Sequence, residues 1–176
     1  RSKNNLIKLL ISAGILALLM VIIFVLRPAI LKKPDLEDPI RIAVISFENQ
    51  TGSETYDYLQ DAIPNLLITS LEQSPYLHVT TWERMHDLLR QTGQKDIRII
   101  DKDLGYQLCR MDGVNLIVLG SYVKAGDIFA TDIKVYEVTS NELIASVSSK
   151  GKGISSILQH QIDDLSEEIS ESIGLS

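Results

Sequence analysis

A single cysteine among 176 residues excludes an internal disulfide framework. Cys109 lies in an apolar helical pattern, where a thiol serves as a small core residue. Histidine is scarce too: His78, His86 and His160 share no metal-ligand spacing with Cys109 or with one another. Gly151-Lys152-Gly153 lacks the GxxxxGK[ST] context that lets several amides surround a phosphate, and reads as a strand exit. Basic charge is short where it would matter for nucleic acid. Residues 40–176 carry 11 Lys+Arg against 20 Asp+Glu, a net of −9, whereas nucleic-acid affinity comes from neutralising phosphates. Asp57 and Asp61, and the group Asp163, Asp164, Glu167 and Glu168, fall on helical patterns as solvated faces rather than in a calcium loop. No clustered nucleophile, base or metal set is present. The reading is no catalytic residue, no metal, no cofactor and no nucleic-acid partner in this segment.

What the chain does have is an apolar run. Leu9 to Leu26, LLISAGILALLMVIIFVL, carries no charge and has the length of a bilayer-spanning helix. A secretory signal would have a shorter apolar core and a small-residue cleavage site. A lipoprotein signal would need a cysteine directly after the run, and a buried core helix would keep a polar face. The run is thus expected to be a transmembrane helix at 9–26 in contact with lipid, after a basic juxtamembrane end at 1–8. Three basic residues precede it and three follow, so charge alone does not orient it. The chain begins at Arg1 rather than Met, and sequence upstream is expected. Residues 27–39, RPAILKKPDLEDP, hold three prolines and form a semi-stiff linker. Residues 40–176 are long enough for one domain with a real core.

Within that domain the patterns alternate. Ile40–Phe47 is an apolar strand covered on both faces, with Ile42 and Val44 on one side and Ala43, Ile45 and Phe47 on the other. A helix follows over about 56–73, with Leu59, Ile63, Leu66, Leu67, Ser70 and Leu71 inward and Pro64 kinking it. Leu77–Thr81 is a short strand, and Thr80 with Glu83 matches a capping box. The next helix turns Trp82, Met85, Leu88 and Leu89 inward. Another runs from its cap Asp101 to Met111, with Leu104, Leu108 and Met111 on one face and Gly113 as the stop. Strands over 114–123, 128–138 and 143–149 form a meander. A last helix over 154–173 carries Ile154, Leu158, Ile162, Leu165, Ile169 and Ile173. The expected order is β-α-β-α-α-β-β-β-α, an α+β fold with helices packed on a mixed sheet.

Three segments carry a family resemblance. RIAVISFENQTG at 41–52, YLQDAIPNLLITSLEQSPYLHV at 58–79 and GVNLIVLGSYVKAGDIFATDIKVYEVTSNELIAS at 113–146 together resemble the FlgO/TolB amino-terminal-like domain over about 42–174. The wording from DAIPNLLITSLEQS to IGLS is similar to examples attached to bacterial membrane serine/threonine protein kinases. That resemblance implies a kinase upstream of the span, an extracytoplasmic module here and tetratricopeptide repeats downstream. It equally suits the matching region of an adenylate cyclase or a winged-helix regulator. The chain itself has no glycine-rich phosphate loop, HRD or DFG.

The turn Asn49, Gln50, Thr51, Gly52, Ser53 is the one place where a small ligand makes physical sense. It leaves the first strand and opens the first helix, where amides and the helix dipole attract anions. Glu48 and Glu54 flank it and oppose strong negative charge, and the alternative is a structural turn. The functional expectation is a membrane-anchored, non-catalytic sensor or protein-interaction module of a signalling kinase in the bacterial inner membrane. The rival is an envelope assembly or scaffold domain. Either takes a protein partner or a second copy of itself.

Overall fold

The computed structural model describes residues 39–93 and 100–175. The expected membrane helix, the basic end and the linker up to residue 38 lie outside the described residues. Among the described residues no helix is long and apolar enough to cross a membrane.

Five strands form one sheet in the order β2-β1-β3-β4-β5. They are β1 (Ile40–Asn49), β2 (Leu77–Thr80), β3 (Leu116–Ala125), β4 (Ile128–Glu137) and β5 (Leu143–Lys152). β2, β1 and β3 run parallel, and β3, β4 and β5 form the antiparallel meander. The helices are α1 (Leu59–Leu71), α2 (Trp82–Gln91), α3 (Lys102–Asp112) and α4 (Ile162–Ser172), with a short 3-10 turn at Glu54–Tyr56 and a π turn at Ile157–Gln161. This is the α+β order and mixed sheet that the patterns predict.

Two cores flank the sheet. Leu59, Ile63, Leu67 and Leu71 of α1 and Ile162, Leu165 and Ile169 of α4 cover one face of all five strands. Met85, Leu88 and Leu89 of α2 and Leu108 and Cys109 of α3 cover the other face at β1 and β3. β1 is therefore buried on both sides, as an unbroken apolar run requires. Asp112, whose side chain is 6% exposed, ties the helical layer to the sheet. It accepts Arg84 Nε at 2.8 Å and lies 3.5 Å from Arg41 of β1.

Several expectations are corrected. Phe47 joins Ile42 and Val44 in the first core, not Ala43 and Ile45. A bulge between Val44 and Ser46 inserts one residue and moves every later side chain to the opposite face. The cap of α2 is Thr81, whose hydroxyl accepts the Arg84 amide at 3.4 Å. Thr80 cannot cap, because it is buried as the last residue of β2. Met111 is exposed, and Gly105, Tyr106, Leu108 and Cys109 form the inward face of α3. Gly105 suits that place because a Cβ there would lie 2.9 Å from Ile117 Cδ1. Leu158 also points outward, while Ile157 and Gln161 are buried. The π turn holds one residue more than an α turn, so the face before it is rotated from the stripe that the later isoleucines define. Pro64 lies inside a single helix, Leu59–Leu71.

Candidate ligand and docking site

The sheet has a switch point. β1 reaches β2 through α1 on one face, and β2 reaches β3 through α2 and α3 on the other. Open parallel sheets take ligands at the carboxyl ends of such strands, here β1 and β3. The turn Asn49–Ser53 stands at that place, and its hydrogen bonds close on themselves. Asn49 Oδ1 accepts the Thr51 amide at 2.9 Å and the Thr51 hydroxyl at 2.7 Å. Thr51 Oγ1 accepts the Ser53 amide at 3.2 Å, and Ser53 Oγ accepts the Thr55 amide at 3.4 Å. Asn49 Nδ2 donates to Ser53 O and to Asp57 Oδ1. The Gln50 amide donates to Tyr122 O at 2.9 Å. The amides of Gln50, Thr51, Ser53 and Thr55 are thus directed to partners within the fold. Gly52 turns the corner at φ 75, a conformation that costs glycine little.

Beneath the turn the crevice is filled. Tyr122 of β3 is wholly buried and its hydroxyl donates to Tyr56 O at 2.8 Å. Burial, with Asp57 and Asp61 nearby, pushes its phenol well above the ordinary range. Phe47 lies against Gly120, where a Cβ would come within 2.3 Å of the ring. The four residues singled out from sequence, Asn49, Thr51, Gly52 and Ser53, are brought together as one hydrogen-bonded turn.

The open space is on the other side of β1. A cleft of ≈ 800 Å³ lies between β1 and the first turns of α1, with Ser46 and Phe47 at its floor and Asp57, Tyr58, Asp61 and Trp82 on its walls. Tyr58 is 57% exposed. Neither histidine nor cysteine lines the cleft, so a nucleophile–base pair of the usual kind is not assembled there. Among the described residues no group of three or more His, Cys, Asp or Glu could hold a metal. Sequence reading places Asp57 and Asp61 together as a solvated helix face and Trp82 apart from them as a core aromatic. Their convergence depends on the strand order. Cys109 is buried in the second core, and burial raises its thiol to about 12. His86 stacks edge-on against Trp82 at 5.0 Å between centroids.

No family model matches the chain. No curated protein matches it. Among solved structures, the hypothetical protein CT253 from Chlamydia trachomatis superposes with a TM-score of 0.54 at 9% identity, over 78% of this chain and 99% of that one. The LpoB C-terminal domain from Salmonella enterica gives 0.48 at 15% identity, over 70% of this chain and 90% of that one. TolB from Acinetobacter baumannii gives 0.47 at 13% identity, over 78% of this chain and 28% of that one. At 9% identity the likeness to CT253 is one of fold.

Proposed function

We propose that this chain is a membrane-tethered, non-catalytic protein-binding module of the bacterial cell envelope, a scaffold or assembly domain held at the lipid surface by residues 9–26. One observation carries the reading. The described residues offer a cleft bordered by a strand edge, acids and aromatics, and no reactive set beside it. Such a lining suits the recognition of a protein segment. The acidic balance of residues 40–176, set against six basic residues in 1–39, fits a body standing off anionic lipid with a basic collar at the headgroups.

The sensor of a serine/threonine kinase is the second reading. It rests on the sequence resemblance that runs from DAIPNLLITSLEQS through Gly151-Lys152-Gly153 to the closing IGLS, and needs an effector across the membrane. The scaffold reading needs only a tether and a binding face.

Photo-crosslinking of the full chain in its own membranes tests both readings. A crosslinker at Tyr58 is expected to trap a defined protein, with the domain open to protease from outside the inner membrane. Failure to trap protein from any exposed position, or protease access only from the cytoplasm, overturns the scaffold. Exchange of residues 9–26 for an unrelated apolar span should leave partner capture intact. Loss of capture with the chain still in the membrane favours the sensor.

A further inference from the structure

β2 stops early. It pairs with β1 from Ile40 to Ala43 only, whereas β3 accompanies β1 as far as Asn49. From Val44 to Asn49, β1 therefore has a strand on one side and none on the other. Two bonds set the direction of its peptide groups. Arg41 O accepts the Asn115 amide, and the Gln50 amide donates to Tyr122 O, so both residues address the β3 side. Direction alternates along a strand, and the bulge after Val44 shifts the alternation by one. Glu48 and Ser46 then share the side of Gln50, and Phe47 turns its N–H and C=O to the vacant side. That side is the cleft. Past Thr80 the chain leaves the sheet and starts α2 at Trp82, which makes the far wall.

We propose that the cleft is a strand-addition groove for an extended basic segment of a partner protein, which takes up the line that β2 abandons. This rests on the protein-binding reading and names the partner's chemistry. The backbone of the segment pairs with Phe47. Its alternate Lys or Arg side chains meet Asp57 and Asp61, the only charged residues in the lining, and lay their stems on Tyr58, while the intervening apolar side chains turn to the opposite face and Trp82. An acidic segment would bring like charges together on a domain that is already negative. A metal ion is a poor occupant, because two exposed carboxylates fall short of the six to eight oxygens that calcium takes.

The chain has one tryptophan, and it stands in the groove, so Trp82 fluorescence is a direct readout. The full chain in detergent is titrated with a pool of peptides of about seven residues, Lys or Arg alternating with apolar residues. A second pool replaces the basic residues by Glu, and a third is the basic pool methylated at alternate backbone nitrogens. The expected result is a saturable shift with the basic pool, weakened at least tenfold by backbone methylation, by Asp61→Lys and by raised salt, and absent with the acidic pool. Asp61→Lys is an exposed change, and an unchanged thermal melt shows that the variant is folded. Equal binding of the acidic pool, indifference to methylation, or no saturable shift overturns the proposal. Self-association of the chain alone that Asp61→Lys abolishes also overturns it, by placing a second copy in the groove. A silent groove together with specific crosslinks from another face overturns the groove and leaves the protein-binding reading standing.

Discussion

Gln161, the last residue of the π turn that leads into α4, accepts the hydroxyl of Thr131 at 2.8 Å within the core. Neither residue is exposed at all. The amide nitrogen of Gln161 donates to Ser156 Oγ at 2.7 Å and to Phe129 O at 3.2 Å. One buried side chain thus joins the last helix to β4 with its donors and its acceptor all engaged, which is the condition for a polar group to be tolerated in a core.

Thr131→Val keeps the shape and leaves Gln161 Oε1 alone. The expected loss is about 1–3 kcal/mol in urea unfolding. Thr131→Val combined with Gln161→Met should cost less than the sum of the two single changes. Additive losses would show that the two side chains do not act as a pair.

The π turn makes a sharper contrast. Ile157 is 1% exposed and Leu158 is 67% exposed. Ile157→Ala should destabilise by about 2–5 kcal/mol, and Leu158→Glu should stay within about 0.5 kcal/mol. A larger loss from Leu158→Glu than from Ile157→Ala in chemical denaturation would mean that the helix is a plain α-helix facing the way its isoleucine spacing suggests.

Cys109 gives a pH dependence. Its thiol is raised from the ordinary 9.0 to about 12 by burial. The unfolded thiol ionises near 9 while the folded one stays protonated. The stability tied to this group is therefore complete below pH 9 and falls between pH 9 and about 12, by about 1.4 kcal/mol per pH unit at most. Tyr106 and Tyr122, also raised by burial, act in the same direction. At pH 8 a maleimide should label Cys109 only as fast as the domain opens. Cys109→Ser should flatten part of the alkaline decline in stability, and an unchanged slope would assign the decline to the tyrosines.

Gly120→Ala tests the plugged crevice. The added Cβ would meet the Phe47 ring at 2.3 Å, and overpacking of this kind costs about 1–3 kcal/mol. Phe47→Leu in the same chain should recover part of the loss. A thermal melt that ignores Gly120→Ala would show that the ring has room to move.

Much of the fold was legible because its signals are local. Period-2 and period-3.6 patterns mark each strand and helix, Asp101 caps α3 through Leu104, and Gly113 ends it at φ 65. Two of the misplacements share one cause. The bulge in β1 and the π turn before α4 each insert a residue whose effect is to rotate a pattern, and an apolar sequence reads equally well in either phase. Phe47 and Leu158 fall on these two irregularities, whereas Thr80 and Thr81 lie at the strand-to-helix junction, where two adjacent threonines both offer a cap, and Met111 lies in the last turn of α3. The turn at Asn49 was legible as a turn from Asn, Gly and Ser. The groove was not, because it follows from a four-residue strand beside a ten-residue one, and strand order is written in long-range contacts. Asp57 and Asp61 were visible as one helix face, but nothing in the sequence says that Trp82 stands across a groove from them.

The central position of β1 bears on how the chain is made. It is the first strand of this sheet to be synthesised, yet it lies between β2 and β3, and its bond to Asn115 spans 74 residues. Until Leu116–Ala125 has been synthesised, Ile42, Val44 and Ile45 have no permanent neighbours on that side. At ordinary translation rates of about 5–20 residues per second, a strand that ends buried on both faces stays idle for several seconds. A nascent chain in that state is a natural client for holding chaperones, and the meander that finally receives it works as the latch that ends the wait.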